Sequence, residues 1–347
     1  MNPYALDVIW EQLTAALEDG PPVLPKGLAS TFDQKQWPQI AAVLTTSGST
    51  GNPKYVMLSR QALLSAAAAT QKIFGELTWY CALPTEYVAG FMTLVRSYYA
   101  GEKAQFLAKD LHNITKVKTP SAISLVGTQL YRALQNPQLT KALGSYQIIL
   151  VGGSLITDEL LDQGRAAGLN LVTSYGMSET CGGCVYDEVP LPGVDIEIDS
   201  QSRIWISGPQ LFSGYYDDQA ATDEILVEGK LRTNDRGCWH DKRLEVLGRF
   251  DSVVISGGVN IDLDKINNYL ASEPIPAVVV GIPDEQWGVR LVLIAQPGRT
   301  LQQWRTQLAE VLDRAALPKD LIEVAKLPLT DRGKLDHNYL KKLAEGR

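Results

Sequence analysis

Four hydroxyls, two glycines and one lysine fall within the nine residues Thr46-Ser47-Gly48-Ser49-Thr50-Gly51-Asn52-Pro53-Lys54. Glycine lets the backbone turn sharply and present N–H groups to an anion. Ser47, Ser49 and Thr50 add hydroxyl donors, and Lys54 adds a positive charge suited to phosphate. The segment has the chemistry of a polyphosphate cradle. It is not a Walker A loop, in which Gly-Lys-Ser/Thr opens a helix. Here Lys54 leads into the strand-like Tyr55-Val56-Met57-Leu58, and residues 40–44 before the loop are strand-like too. The spacing predicts a hairpin, with a helix starting only after Ser59. On the loop alone, a plain Ser/Gly turn remains the simpler reading.

Four further segments carry chemistry in chain order. They are Ser174-Tyr175-Gly176-Met177-Ser178-Glu179-Thr180, then Arg232-Thr233-Asn234-Asp235, then Gly248-Arg249-Phe250-Asp251 with Ser256-Gly257-Gly258-Val259-Asn260-Ile261, and finally Leu327-Pro328-Leu329-Thr330-Asp331-Arg332-Gly333-Lys334-Leu335. Read singly, Glu179 is a solvated loop acid, Asp235 a turn aspartate, Arg249 a surface arginine and Lys334 a tail lysine. Together with the Thr46–Lys54 loop, the five segments resemble, in the same order, the signatures of the acyl-adenylate-forming (AMP-binding) enzymes. These include acyl-CoA synthetases, peptide-synthetase adenylation domains and luciferases.

The resemblance implies an ATP-dependent acid–thiol ligase using ATP, Mg²⁺ and CoA. Thr46, Ser47, Gly48, Ser49, Thr50, Gly51 and Lys54 would hold the triphosphate. Gly152, Gly153 and Ser154 would lie on one side of the adenine and Tyr175 on the other, with Ser174, Gly176 and Met177 in the same wall. Ser178 stands where the family usually has Thr and would bond the α-phosphate; Glu179 would bind Mg²⁺. Asp235 would take the ribose hydroxyls and Arg249 the same region or a phosphate. Lys334 would be the catalytic residue, meeting the attacking carboxylate and the charge growing on the α-phosphate. Asp251 would be the pivot about which a small C-terminal domain turns after adenylation, and Gly257 and Gly258 would line a pantetheine tunnel.

The stretch Leu83-Pro84-Thr85-Glu86-Tyr87-Val88-Ala89-Gly90-Phe91, with Arg96 following, is similar to the 2-succinylbenzoate–CoA ligases of menaquinone and phylloquinone synthesis. So is Ser124-Leu125-Val126-Gly127-Thr128-Gln129-Leu130-Tyr131. Departures are Tyr87, where many relatives have His, and Gly127, where Pro is common. A dicarboxylate has one acid to activate and one to anchor, and an arginine suits the anchor. Tyr87, Arg96 and Thr128 are therefore the expected substrate contacts. Another aryl- or acyl-CoA synthetase and a non-catalytic nucleotide-binding relative are the alternatives.

The elements that must position these residues follow from length and pattern. At 347 residues the chain is long enough for two domains. Strands and helices alternate between residues 79 and 175, which implies an α/β fold with a mainly parallel sheet, ligands binding beyond the strands' carboxyl ends. Strands are expected at 79–83, 104–107, 123–126, 148–151 and 169–174, with helices at 60–74, 87–100, from 128, and 157–167. Short strands with Pro and Gly turns over 187–216 suggest a β subdomain. After Asp251 the pattern becomes a small α+β domain, with helices at 262–270, 301–315 and 336–343 and strands at 277–280 and 290–295. The expected division is 1–250 and 251–347. The phosphate loop begins about forty residues in, so the chain is expected to lack most of the family's N-terminal region.

Composition limits the partners. The sequence is 45% hydrophobic and 20% charged, with a net charge of −7. An acidic chain argues against nucleic acid as the main partner, so anionic ATP must be held by local donors and a metal ion. No apolar run is long enough to span a bilayer, and the N-terminus has no secretory pattern, which places the expected location in the cytoplasm. Small-molecule acid, ATP and CoA are the expected partners. Cys181-Gly182-Gly183-Cys184 has CxxC spacing, but zinc would need a second pair, and Cys238 with His240 is a poor substitute. Two central glycines predict a loop, and all four cysteines are expected to be reduced. His112, His240 and His337 show no triad-like company in the sequence.

Overall fold

A computed structural model describes residues 3–46, 54–153, 156–271, 273–330 and 335–346. Helix α1 (Pro3–Leu17) precedes a hairpin of β1 (Ile40–Thr46) and β2 (Lys54–Ser59), followed by α2 (Arg60–Phe74). Then come β3 (Thr78–Cys81), α3 (Val88–Tyr99), β4 (Gln105–Phe106), β5 (Ser121–Val126), α4 (Gly127–Leu134), α5 (Pro137–Leu143), β6 (Ile148–Gly152), α6 (Asp158–Ala166) and β7 (Leu171–Met177). Short strands follow: β8 (Gly182–Tyr186), β9 (Val189–Pro190), β10 (Asp195–Ile198), β11 (Arg203–Ser207) and β12 (Gly214–Tyr215). After α7 (Gln219–Ile225) and β13 (Leu226–Val227), the long β14 (Lys230–His240) turns into β15 (Arg243–Arg249). The rest is β16 (Val253–Ser256), β17 (Val259–Asp262), α8 (Leu263–Ala271), β18 (Ala277–Asp284), β19 (Gly288–Ala295), α9 (Leu301–Leu308), β20 (Asp320–Glu323) and α10 (His337–Glu345).

These elements form two compact units, Met1–Thr233 with Cys238–Glu245, and Asn234–Gly237 with Val246–Arg347. The first is organised by a seven-stranded sheet of order β4-β3-β5-β6-β7-β8-β9. Strands β3 to β7 pair in parallel, and β8 and β9 return antiparallel. Alternation along the buried strands sends Ile123, Leu125, Ile149, Val151 and Leu171 to one face and Ala122, Ile148, Leu150 and Val172 to the other. Both faces are apolar because both are covered, as parallel sheets require.

Local chemistry explains the helix limits. Ser59 accepts from the Ala62 N–H at 3.1 Å at the start of α2, and Gly75 ends it at φ 77° with its N–H on the Gln71 carbonyl. Thr157 caps α6 by accepting from Leu160. The expected helix over 301–315 ends instead at Leu308. Its backbone tightens there to i→i−3 bonds at Glu310 and Val311, and Val311 is exposed. The CxxC segment is also corrected: Gly182–Tyr186 is strand, not loop, because it pairs back onto β7.

The second unit carries an antiparallel sheet of order β17-β16-β19-β18, with β20 parallel to β19. Along β18, Ala277 and Val279 join α8 and α9 in one core, while Val278, Val280 and Ile282 join α10 in the other. Among the described residues no helix is long and apolar enough to cross a membrane.

Candidate functional site

The two described ends of the Thr46–Lys54 segment are set by register. Thr46 pairs with Lys54 at the open end of the β1–β2 hairpin. Ser47, Gly48, Ser49, Thr50 and Gly51 lie outside the described residues. Strand β12 adds to the other edge of β2, with Gly214 opposite Met57 and Tyr215 opposite Val56. This places the Lys54 ammonium 4.6 Å from the centre of the Tyr215 ring. The Tyr215 hydroxyl donates to Oε1 of Glu179 at 2.6 Å. Burial, reinforced by the Glu179 carboxylate, pushes the phenol's pKa well up, so it stays a donor. Lys54 and Glu179, 125 residues apart by their numbers, thus meet on the two sides of one tyrosine. Sequence reasoning missed Tyr215, which reads as an ordinary strand aromatic.

Glu179 is set by a short 3₁₀ turn, Ser178–Thr180, at the end of β7. The buried Thr180 hydroxyl accepts from the Met177 N–H at 2.9 Å and donates to the carbonyls of Met177 and Gly182. Phe212 N–H binds the Glu179 carbonyl at 2.9 Å. Ser174, Tyr175, Gly176 and Met177 lie inside β7 rather than after it, because β8 pairs with β7 out to Met177. The approach is close enough to require glycine: a Cβ on Gly176 would lie 2.0 Å from the Gly182 carbonyl oxygen. Gly152 is the register partner of Ser174 on β6, and its Cβ would lie 2.7 Å from the Ser174 carbonyl. Gly152, Gly153 and Ser174–Glu179 are therefore brought together at the carboxyl ends of β6 and β7; Ser154 lies outside the described residues.

Tyr87 is the N-cap residue of α3, and α3 runs from there beside β8. Val88, Met92 and Arg96 recur every four residues and share one helix face. The space a Cβ on Gly182 would take is bounded by Met92 and Val88, at 3.5 and 3.7 Å. Further along, Arg96 donates through Nη2 to the Tyr186 hydroxyl at 3.1 Å, and its guanidinium lies 5.1 Å from the Trp79 ring. Arg96 is 6% exposed, and its Nε has no hydrogen-bond partner among the described residues. Its contacts there are a phenol and an indole, not a carboxylate. Burying a guanidinium without a counter-charge is costly. Thr128, half-buried in the first turn of α4, follows Val126, whose N–H is capped by Gln129 at 3.0 Å. Gln129 also donates to the Ala82 and Lys109 carbonyls, fixing the loop after β3.

In the second unit, Arg249 is held on three sides. Its Nε and Nη2 donate to the two oxygens of Asp251 at 2.7 and 2.8 Å, and Nη1 donates to the buried Asp235 at 3.1 Å. The Arg249 N–H binds Asp264 at 2.9 Å. The bidentate bond to Asp251 raises the guanidinium's proton affinity further. Burial works to raise the Asp251 carboxyl, but the bond and charge of Arg249 outweigh it and hold the acid below its ordinary value. Gly257 and Gly258, at φ 58° and 81°, form the two-residue turn of the β16–β17 hairpin, with Ser256 opposite Val259. That geometry alone accounts for both glycines. Lys334 lies outside the described residues.

The cysteines form no disulfide among the described residues. Cys81 and Cys181 are buried, and burial pushes the Cys81 thiol up to about 11 and Cys181 higher still, so neither is a poised nucleophile. Around His240 lie Cys238 and Glu245, both at Nε2, which is not the arrangement of a triad.

The AMP-binding enzyme family profile matches residues 7–216, more than half of the chain. A Mycobacterium tuberculosis protein named probable 2-succinylbenzoate–CoA ligase is 36% identical over 321 residues, covering 87% of this chain and 84% of its own. The ATP-bound RpMatB–BxBclM chimera superposes with a TM-score of 0.80 at 22% identity, over 88% of this chain and 68% of that one. The Bacillus subtilis o-succinylbenzoate CoA synthetase (MenE), in complex with the acyl-adenylate intermediate OSB-AMP, gives 0.75 at 24% identity, over 96% and 81%. These two likenesses speak to fold, and the profile and the sequence relative speak to descent. The matched profile over residues 7–216 and the 36%-identical relative lead to one conclusion: the chain belongs to the AMP-binding enzyme family.

Proposed function

We propose that this protein activates 2-succinylbenzoate with ATP, forming the acyl-adenylate and pyrophosphate, and then transfers the acyl group to CoA with release of AMP. The product, 2-succinylbenzoyl-CoA, belongs to menaquinone or phylloquinone synthesis. The observation that carries the choice of acid is Arg96, a buried guanidinium with no carboxylate partner among its described contacts. A second carboxylate on the substrate supplies that partner. The name of the 36%-identical relative points the same way.

The residues divide the work as follows. The loop from Thr46 to Lys54 grips the triphosphate, and Ser178 bonds the α-phosphate. Glu179 is half-buried and oriented by Tyr215, a hard carboxylate beside the loop, which suits Mg²⁺. When bound, Mg²⁺ neutralises phosphate charge that the acidic chain would otherwise repel. Gly152–Ser154 and Tyr175 sandwich the adenine, and Asp235 and Arg249 take the ribose side. The substrate lies along the Val88–Met92–Arg96 face, entered past Tyr87 and Thr128. Lys334 meets the attacking carboxylate oxygen and the α-phosphate as charge builds between them. The domain from residue 251 then turns about Asp251, and the Gly257–Gly258 turn lets the pantetheine thiol pass close to backbone.

The test is AMP release in the presence of ATP, Mg²⁺ and CoA for a panel of acids. The expected result is efficient turnover of 2-succinylbenzoate, with benzoate and fatty acids poor. Efficient turnover of a fatty acid with none for 2-succinylbenzoate would reject the acid and keep the ligase class. Absence of ATP–pyrophosphate exchange with every acid would favour a non-catalytic relative.

A further inference from the structure

A cluster outside this site has ligand chemistry of its own. The two-residue turn Asp241-Lys242, at φ 46° and 66°, joins β14 to β15 and sets Cys238 across from Glu245. Cys238 and His240 are two apart on β14 and so share a face. The opposite face carries Leu244, buried at 2%. On the shared face the Cys238 Sγ lies 3.2 Å from His240 Nε2 and 3.6 Å from Glu245 Oε2, and His240 Nε2 lies 2.8 Å from Glu245 Oε2. One thiol, one imidazole nitrogen and one carboxylate oxygen therefore converge on a single point.

Two simpler uses fit less well. In a nucleophile–base–acid relay the acid holds Nδ1 and the nucleophile meets Nε2. Here thiol and carboxylate both meet Nε2, so nothing is relayed. A surface His–Glu ion pair explains two of the groups and leaves the thiol's contacts with both of them without a use. A cation at the centre satisfies all three.

We propose that Cys238, His240 and Glu245 form a three-ligand site for a borderline divalent transition metal, Zn²⁺ first, clamping β14 to β15. Tetrahedral zinc with bonds of about 2.3 Å to sulfur and about 2.0–2.2 Å to nitrogen and oxygen sets its ligands roughly 3.3–3.6 Å apart. The separations here are 2.8 to 3.6 Å, so the side chains need open by about half an ångström at most, within reach of three solvent-accessible rotamers. Water completes the fourth position. Binding converts the Cys238 thiol to thiolate and releases one proton to solvent, so affinity rises with pH. Carboxylate-only cations such as Mg²⁺ are poorly matched to a thiolate–imidazole pair.

The test uses the full chain, stripped of metal and titrated with Co²⁺ as a spectroscopic probe, then with Zn²⁺. The expected result is one Co²⁺ per chain with a thiolate-to-cobalt charge-transfer band, displaced by Zn²⁺. Cys238→Ser should abolish the band. His240→Ala and Glu245→Gln should weaken binding at least ~10-fold, since even groups that only hydrogen-bond to a ligand are worth that much. Circular dichroism checks that each variant is folded, which the exposed His240 and Glu245 and the half-buried Cys238 permit. Zn²⁺ should also slow the reaction of Cys238 with a thiol reagent in the wild type. A missing thiolate band, or equal affinity in wild type and all three variants, overturns the site.

Discussion

The hydroxyl of Tyr215 lies 2.6 Å from the Glu179 carboxylate, while its ring lies 4.6 Å from the Lys54 ammonium. One side chain thereby sets the spacing between Lys54, at the end of the proposed phosphate-binding segment, and the carboxylate proposed for the metal. Tyr215→Phe keeps the ring under Lys54 and removes only the hydrogen bond. A bond to a charged group contributes on the order of 1.5–3 kcal/mol. The variant is therefore expected to need at least roughly tenfold more Mg²⁺-ATP for half-maximal pyrophosphate exchange. Tyr215→Ala, which also frees Lys54, should do worse. Unchanged ATP dependence in Tyr215→Phe would show that Glu179 is positioned without it.

Lys334→Ala should lower adenylation by several orders of magnitude and spare the thioester step. The lysine is assigned to charge developing on phosphate, not to thiol attack on the finished adenylate. Supplying preformed acyl-adenylate with CoA separates the two. An equal fall in both half-reactions contradicts the assignment.

Asp251 has two roles to be told apart, a pivot and a partner of Arg249. Asp251→Pro fixes φ near −65° but also removes the carboxylate. Asp251→Asn removes the charge alone. The proline variant is expected to form adenylate and fail at the CoA step, and the asparagine variant to complete both. Loss of both steps in a folded proline variant contradicts the pivot.

The same pair sets a pH dependence. Because the folded-state pKa of Asp251 is depressed, its contribution is fully present above the unfolded carboxylate value and is lost as pH falls through the folded one. The carboxylate is 36% and the guanidinium 45% exposed, so solvent screens the pair to about 0.5–1 kcal/mol. Denaturant melts of wild type and Asp251→Asn should differ by that amount at pH 7 and converge as the pH falls below the ordinary carboxylate range. A difference that persists at acid pH would mean the asparagine acts through packing instead.

Much of this was legible in the residues. The βαβ alternation, the Ser59 and Gly75 caps and the β1–β2 hairpin follow from local pattern and turn chemistry. Strand β14 did not show itself, because Thr233 and Asp235 take inward positions that an apolar alternation would mark. Strand β7 looked shorter than it is, since its last turn of pairing depends on β8 returning beside it. Tyr215 was hidden because its role arises from three segments far apart in sequence meeting on one side chain. Arg96 showed its type but not its surroundings. The Val88–Met92–Arg96 row becomes visible only once α3 is laid beside Gly182 and Tyr186.

The central claim is that Arg96 holds the second carboxylate of 2-succinylbenzoate. It is tested by kcat/KM for that acid and for the analogue lacking the ring carboxylate, in wild type and Arg96→Met. Charge-assisted bonds of about 1.5–3 kcal/mol predict that wild type prefers the dicarboxylate by roughly ten- to a hundredfold. In Arg96→Met, confirmed as folded by its melt, that preference should collapse toward unity while turnover of the analogue changes little. Equal losses on both acids would make Arg96 a structural cation packed between Trp79 and Tyr186, and would contradict the account.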